Sequence, residues 1–572
     1  MSRPRIQVNV QVPMRDEVLL AANVYMPDGP GPFPVVLNRT PYGKDNAVRF
    51  QRAQMFVQAG YAIVHMDVRG RGDSQGIFNP NFQEIEDGYD SLEWCGTQPW
   101  SSGAVGTYGG SYEGWTQIFP TRLQSSHHRA AFLMCTPSMH PFREGPYWSG
   151  VPSAIMGMMA LYISGKTVKE FISELDWEEW VNSRPLKDLA SAFGLEESYW
   201  KERAQHPTFD DYYRRLWFEG VTDLTQVPCY HVSGWFDDSL GGTLELFPAL
   251  AHRHPDPQVR RSQKLLIGPW PHRLSGNSSK LGDFDYGEHS MVPLPREAIR
   301  WFDYWLKGIN NGIMEEPPCR MFLMGANRWV ETDRFPVSSA RERSFLLGAA
   351  SPANGLEGGG FLDQVRQGML TDSTFLYDPK NPAPAPFWKE NFQSGTNEDL
   401  RAIQSRPDVL VFTSPPLSKP LNVVGRIKAE LYVSTSARDT DFVARLSDVH
   451  PDGYAERLNH GILRLRFRNG YEKSEPVEPG QVLRIEIDLW GTGQQIQAGH
   501  CLRLEVTSSG YPVWAPNYNT GGDIWEETTP IVASNTVHHS EQHPSRLILK
   551  ELVEPVFAAP WDESRWGGKL PG

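Results

Sequence analysis

The segment Gly109-Gly110-Ser111-Tyr112-Glu113-Gly114 puts a hydroxyl at the apex of a small-residue turn. It follows a short strand-like run, Ala104 to Tyr108, and precedes Trp115 to Leu123, which suits a helix. Strand, sharp turn and helix with Ser at the apex make a nucleophile elbow, which raises the hydroxyl above the end of a sheet. Glycines belong there because the Ser backbone is strained and neighbouring chain crowds it. The start of the helix aims amide N–H groups at developing negative charge. The usual pattern is G-x-S-x-G; here Glu113 stands where that pattern has its last Gly, and Gly114 comes one later. An ordinary Gly-Ser turn would carry the same letters, so the partners must be found.

A serine nucleophile needs a base and an acid that orients the base. On an α/β-hydrolase sheet both follow the Ser in the chain, on loops after later strands. The run Cys229 to Ser233 leads into Gly234-Trp235-Phe236-Asp237-Asp238, and Lys264 to Ile267 leads into Gly268-Pro269-Trp270-Pro271-His272. Asp and His thus stand at the C-terminal ends of successive strands, where such sheets bind ligands. His272 would take the Ser111 proton and return it to the leaving group, and Asp237 would stabilise the imidazolium. Spacing leaves Asp238 open beside Asp237, and His289 beside His272. Asp67 and Asp73 precede the Ser and read as turn or network residues. An oxyanion hole needs two donors. One is the N–H of Tyr112. The other usually comes from the loop after the third strand, here Asn38 to Gly43, which has no HGGG-type motif. Tyr42, fixed by Pro41, can offer its hydroxyl there, or can simply pack the loop.

These residues need a sheet to hold them. Leu19–Tyr25, Phe33–Leu37, Tyr61–Val68, Ala104–Tyr108, Cys229–Ser233 and Lys264–Ile267 are apolar strand-like runs. Helical stretches at 46–59 and 87–94, and the amphipathic Ala298–Lys307 ending at Gly308, separate or follow them. Strands alternating with helices predict a parallel sheet covered on both faces. Residues 141–225, with Trp177 and Trp180 among them, read as a helical insertion. From 317 to 572 the runs 426–433, 442–449, 461–467, 482–489 and 502–508 alternate with turns and predict a β jelly roll. The Gly- and Pro-rich stretch 349–405 reads as a long irregular connection. The expected organisation is an α/β-hydrolase domain (1–140 and 226–316), the insertion, and the jelly-roll domain.

Composition narrows the function classes. The chain has 572 residues, 55 Lys+Arg against 68 Asp+Glu, and a formal net charge of −13, which argues against a nucleic-acid partner. Five scattered Cys include no CxxC pair, so neither a disulfide scaffold nor a cysteine metal site is expected. The N-terminus has no apolar core of a signal peptide, and the most apolar window, 154–163, is about half a membrane span. A cytoplasmic enzyme without membrane partner, metal or cofactor is the expectation, with homo-oligomerisation left open.

Taken together, the segments RTPYGK (39–44), DVRGRGDSQG (67–76), QPWSSGAVGTYGGSYEGWTQ (98–117), SGWFDD (233–238), GPWPH (268–272) and AIRWFDYWLKG (298–308) resemble the cocaine esterase / X-prolyl dipeptidyl peptidase (CocE/NonD) family of serine hydrolases. DVHPDGYAERLNHGILRLRFR (448–468) and LEVTSSGYPVWAPNYNTG (504–521) extend the resemblance through the C-terminal part. It implies an α/β-hydrolase domain, a helical insertion and a jelly roll. It also implies Ser111 as nucleophile, Asp237 as acid, His272 as base, and Tyr42 with the Tyr112 N–H as oxyanion hole. Members acting on α-amino-acid esters hold the ammonium with carboxylates two and three residues after the catalytic Asp, where Ser239 and Leu240 stand. X-prolyl peptidases carry a domain ahead of the hydrolase domain, whereas here the hydrolase domain is expected to start almost directly. A small-molecule esterase is therefore expected, with an amidase or X-prolyl aminopeptidase as the alternative. Glu144 is the candidate for a substrate ammonium. Nineteen Trp are many for this length. Trp148, Trp235 and Trp270 are expected to wall an aromatic acyl or alcohol pocket, because the last two lie two residues before Asp237 and His272.

Overall fold

The computed structural model describes residues 4–175, 185–191, 198–274, 278–365, 370–385, 399–559, 561 and 563–566. Trp177 and Trp180 lie outside the described residues. The N-terminal sheet has ten strands: β1 (Arg5–Pro13), β2 (Leu19–Met26), β3 (Phe33–Thr40), β4 (Ala62–Asp67), β5 (Ser101–Gly110), β6 (His128–Met134), β7 (Cys229–Phe236), β8 (Gln263–Pro271), β9 (Cys319–Leu323) and β10 (Arg328–Thr332). Their spatial order is β1-β2-β4-β3-β5-β6-β7-β8-β9-β10. Pairing is parallel from β4 to β9 and antiparallel at both edges. The parallel sheet expected from the alternating runs is therefore present. Two features escaped the sequence reading. β1 alternates apolar and polar residues from Ile6 to Val12, but most of them are exposed and no consecutive apolar run marks it. The sheet also continues past 316, where the hydrolase part was expected to end, because β9 and β10 complete its far edge.

The helices that bear on the site and its packing are α1 (Ala47–Gln58), α2 (Glu84–Thr97), α3 (Tyr112–Ile118), α4 (Ala154–Tyr162), α5 (Leu240–Pro248) and α6 (Leu294–Lys307). Asn46 caps α1 by accepting the Arg49 N–H at 2.9 Å, and Gly308 ends α6 in the left-handed conformation. Side chains alternate across the sheet with the period of a strand. Ile63 of β4 packs with Phe56 of α1 and Trp301 of α6, whereas Ala62, Val64 and Met66 pack with Leu92 and Cys95 of α2. The second face also carries α3 and α5, through Trp115, Ile118 and Leu246.

Between β6 and β7 the chain forms the insertion. It holds α4, shorter helices such as Ser198–Gln205, and a two-stranded ribbon, Tyr147–Trp148 with Val151–Pro152. The C-terminal part is an eleven-stranded β assembly, whose longest pairing joins Leu421–Thr435 to Leu483–Ile496. Of the expected irregular stretch 349–405, Gly360–Asp363 and Ser373–Tyr377 are strands of this assembly. An aromatic cluster with Trp148, Phe467, Trp514 and Trp525 locks the insertion to the β domain. Among the described residues no helix is long and apolar enough to cross a membrane.

Candidate active site

β5 delivers Ser111 to the carboxyl end of the sheet at the start of α3. The Ser111 backbone has φ 62° and ψ −127°, a conformation that costs a non-glycine residue energy and marks an elbow. Two hydrogen bonds hold it there: its N–H donates to the Met134 carbonyl at 3.0 Å, and its carbonyl accepts from the Gly114 N–H at 2.8 Å. A Cβ on Gly114 would sit 2.5 Å from Thr136 Oγ1, so the small residue the elbow needs is Gly114.

The candidate base and acid come from the ends of β8 and β7. The two strands pair in parallel from Gln263↔Cys229 onward, with an irregularity between Gly268 and Pro271, so Asp237 and His272 leave the sheet side by side. His272 Nδ1–H donates to Asp237 Oδ1 at 2.7 Å. Asp238 Oδ1 also lies 2.9 Å from Nδ1. The two carboxylates differ in anchoring. The Asp237 side chain is fully buried and accepts from Ser233 Oγ at 2.6 Å and from the Ser239 N–H at 2.9 Å; that of Asp238 is 28% exposed. Burial opposes charge on both members of the His272–Asp237 pair. Attraction to Asp238 and then to Asp237 outweighs it at the His272 imidazole, which is held well above its ordinary range, and attraction to His272 holds the Asp237 carboxyl low. His289, the competing base, is exposed and does not line the cavity described below. Cys135 lies within the same cluster, donating from Sγ to the His272 carbonyl at 3.3 Å. Burial and the Asp237 charge keep its thiol protonated, which disqualifies it as the nucleophile.

The Tyr42 hydroxyl donates to Ser111 Oγ at 3.2 Å. Burial pushes this phenol up, against hydrogen bonds with Ser111 and with the Tyr112 amide, so it stays a donor. The Tyr112 ring points away from the cavity. Its hydroxyl donates to Glu84 at 2.9 Å and accepts from the Asn81 N–H at 2.8 Å, which fixes the backbone amide at the elbow. Lys44, in the same loop as Tyr42, is tied down by Asp67 and Asp73, the two acids read as network residues.

A network that the sequence reading missed lies under the elbow. Arg49 of α1 donates to Glu113 Oε1 at 2.6 Å, Asn38 Oδ1 at 2.6 Å, Thr40 Oγ1 at 2.8 Å and the Gly43 carbonyl at 2.9 Å. Thr40 Oγ1 in turn accepts the Tyr42 N–H at 3.0 Å. One guanidinium thus joins the end of β3, the Tyr42 loop and the elbow helix. Burial disfavours the Glu113 charge, but Arg49 and Arg52 outweigh it and the carboxyl is held low. The available signal was Glu113 itself, an acid in place of the elbow's last Gly, which must find a cation if buried.

Ser111, His272 and Tyr42 line one cavity of about 860 Å³. Its walls include Met55, Met134, Met159, Tyr162, Val168 and Leu274. None of the three tryptophans expected to wall it is among its described lining residues. Trp235 is 1% exposed and donates to the Phe322 carbonyl; Trp270 is 2% exposed and donates to the Ser290 carbonyl. Trp148 stacks on His460 within the aromatic cluster. Each ring follows the alternation of its strand or its cluster into a core, so sequence proximity to Asp237 and His272 did not translate into exposure to the cavity. Glu144 is also buried, accepts the Gly242 N–H at 3.1 Å and does not line the cavity. Burial and the charges of Glu245, Asp237 and Asp238 raise its carboxyl well above the usual range. Besides the Cys135–Asp237–His272 group, the described residues bring together one further set with metal-ligand character: Asp448, His450 and His500 on the β domain. There His500 pairs with Asp448 at 2.8 Å and His450 with Glu456 at 3.1 Å.

Fold and site define a serine hydrolase with an α/β catalytic domain and a β-rich C-terminal domain. Comparison with known proteins agrees. Residues 16–273 match the X-Pro dipeptidyl-peptidase (S15 family) model, and residues 311–548 match the X-Pro dipeptidyl-peptidase C-terminal non-catalytic domain. A cocaine esterase from a Rhodococcus species is 32% identical, covering 95% of this chain and 97% of its own. A putative serine esterase from Mycobacterium bovis is 24% identical over 95% of each chain. Among solved structures, an α-amino acid ester hydrolase superposes with a TM-score of 0.85 at 23% identity, covering 96% of this chain and 97% of that one. An aminopeptidase from a marine-sediment Thaumarchaeota archaeon gives 0.84 at 24% identity over 96% of each. The chain belongs to the CocE/NonD family of hydrolases.

Replacing Arg49 by Met would leave Glu113 buried without its partner, a change expected to cost about 3–5 kcal/mol. Urea unfolding should show an earlier transition, and the double variant Arg49→Met/Glu113→Met should recover most of the loss. A single variant as stable as the parent would show that the pair does not hold the elbow.

Proposed function

We propose that the protein is a two-step serine esterase acting on small carboxylic esters. Ser111 is the nucleophile, His272 the base, Asp237 the acid, and the Tyr42 hydroxyl with the Tyr112 N–H forms the oxyanion hole. One observation carries the reading: a strained Ser111, touched by the Tyr42 hydroxyl at 3.2 Å, faces the same cavity as a His272 whose Nδ1 is engaged by Asp237. With Nδ1 occupied, Nε2 is the nitrogen free to serve Ser111.

The reaction runs in two halves. Ser111 Oγ bonds to the ester carbonyl carbon while its proton passes to His272 Nε2. The carbonyl oxygen becomes an oxyanion and accepts hydrogen bonds from Tyr42 and the Tyr112 N–H. The bond to the alcohol oxygen breaks, and His272 returns the proton to that oxygen. Water then attacks the acyl-enzyme, gives its proton to His272, and the carboxylic acid leaves as Ser111 regains a proton. Asp237 stays ionised throughout and balances the imidazolium. The ester reading is favoured over an aminopeptidase because Glu144 is buried away from the cavity with its charge suppressed, and because the 32% relative is named an esterase.

Ser111→Ala should abolish hydrolysis of short p-nitrophenyl esters with the circular dichroism spectrum unchanged. Tyr42→Phe should lower kcat by about 10²–10³, the usual loss for one oxyanion donor. Undiminished turnover in Ser111→Ala would sink the reading. The neutral imidazole is the active form, so kcat/KM should fall as pH drops through the raised His272 pKa, above the ordinary value of 6.5. Asp238→Asn removes one carboxylate that favours the imidazolium. The acid limb of the pH profile should therefore move to lower pH; an unmoved or higher limb would contradict this.

A further inference from the structure

Arg52 sits one turn beyond Arg49 on α1 and lines the catalytic cavity. Its guanidinium lies over the ring of Tyr108, with Cζ 5.1 Å from the centroid. That ring is rigid: it stacks on Phe132 at 5.8 Å and meets Phe56 edge-on at 5.5 Å. Tyr108 is also three residues before Ser111 on β5, so the cation rides on the strand that carries the nucleophile.

Among the described residues Arg52 forms no ion pair, whereas the charge of Arg49 is matched by Glu113. The other carboxylates that line the cavity do not answer it. Asp45 is bound by Lys44 at 2.8 Å, and Glu170 is exposed. His65, buried behind the same wall, has its pKa held well below the ordinary range, first by burial and then by Arg49 and Arg52. Arg52 is therefore a cavity-lining cation with no ion-pair partner among the described residues. A half-buried guanidinium held against an aromatic ring, beside the apolar Met55 and Leu274, presents a planar fork of donors to whatever fills the space. The anion whose geometry matches such a fork is a carboxylate.

We propose that Arg52 is the carboxylate-binding residue of this cavity and that the preferred substrates are esters carrying a carboxylate remote from the scissile bond, such as monoesters of dicarboxylic acids. The substrate class rests on the esterase reading above; the binding role of Arg52 does not. The apolar walls hold the spacer between the two ends, and Arg52 fixes the far end while Ser111 meets the ester carbonyl.

The test compares kcat/KM, followed by proton release, for monoethyl glutarate, the neutral ethyl pentanoate and the cationic ethyl 5-aminopentanoate. A fourth ester, 4-acetoxybutanoate, moves the carboxylate to the alcohol side. Expected is a preference for a carboxylate-bearing ester, with the better of the two anionic esters identifying the side that Arg52 reads. Arg52→Met should lower kcat/KM for that ester by about 10- to 100-fold and leave the neutral ester within roughly twofold. An equal loss on every ester, no anionic preference, or a preference for the cationic ester would overturn the assignment. Calorimetry of monoethyl glutarate on Ser111→Ala, with and without Arg52→Met, reads the same role without turnover. If the wild type hydrolysed no ester, the esterase reading would fall. Weaker binding in the double variant would still uphold Arg52, and equal binding would refute it.

Discussion

The buried ion pair between Arg49 and Glu113 is the constraint on which the site depends. Taking two charges out of water is costly, and a pair of this kind rarely adds net stability over an apolar substitute. Its value here is geometric. Through Asn38, Thr40, Gly43 and Glu113, the guanidinium ties together three segments that are far apart in sequence and must agree in position near Ser111. Stabilisation of an oxyanion depends on donors that are already aimed, because reorganisation during reaction would consume the gain. The two proposed donors, Tyr42 and the Tyr112 amide, come from two of the segments that Arg49 ties together.

Charge around the cavity is distributed with the same economy. His272 lies between two carboxylates, one sealed and one half open, which favours the imidazolium that the proposed reaction creates. Cys135, beside them, is silenced by burial and by the Asp237 charge. Glu144, Glu245 and the two aspartates concentrate acid behind the β7 end, and burial with these charges raises the Glu144 carboxyl well above its usual range. Among the other residues lining the cavity, Arg49 is ion-paired with Glu113, whereas the half-buried Arg52 forms no ion pair among the described residues.

The parts of this arrangement that were legible in sequence share a cause. The elbow, the strand runs and the order Ser111, Asp237, His272 follow from local backbone chemistry and from the direction of a parallel sheet, both of which leave marks in consecutive residues. The preference for Asp237 over Asp238 came with the resemblance to the family; the geometry adds that Ser233 and Ser239 seal one carboxylate and leave the other partly wet. What was illegible depends on which way side chains face. Trp235 and Trp270 stand beside the site in sequence, but each sends its indole into the core to reach a carbonyl. Arg49 and Arg52 lie on an unremarkable helix, and only the fold reveals that one is paired beneath the elbow and the other open to the cavity. β1 has alternating apolar residues but no consecutive apolar run, and Cys319–Leu323 and Arg328–Thr332 are only five residues each, so none of the three stood out.

The central claim is that Ser111 is a nucleophile activated by its surroundings. Treatment of the native protein with a fluorophosphonate, followed by intact-mass and peptide analysis, measures this directly. The expected result is one phosphonyl group per chain, located on the peptide that contains Ser111, with ester hydrolysis lost in proportion. A protein that binds no probe, or that carries it elsewhere while Ser111 stays unmodified, would contradict the account.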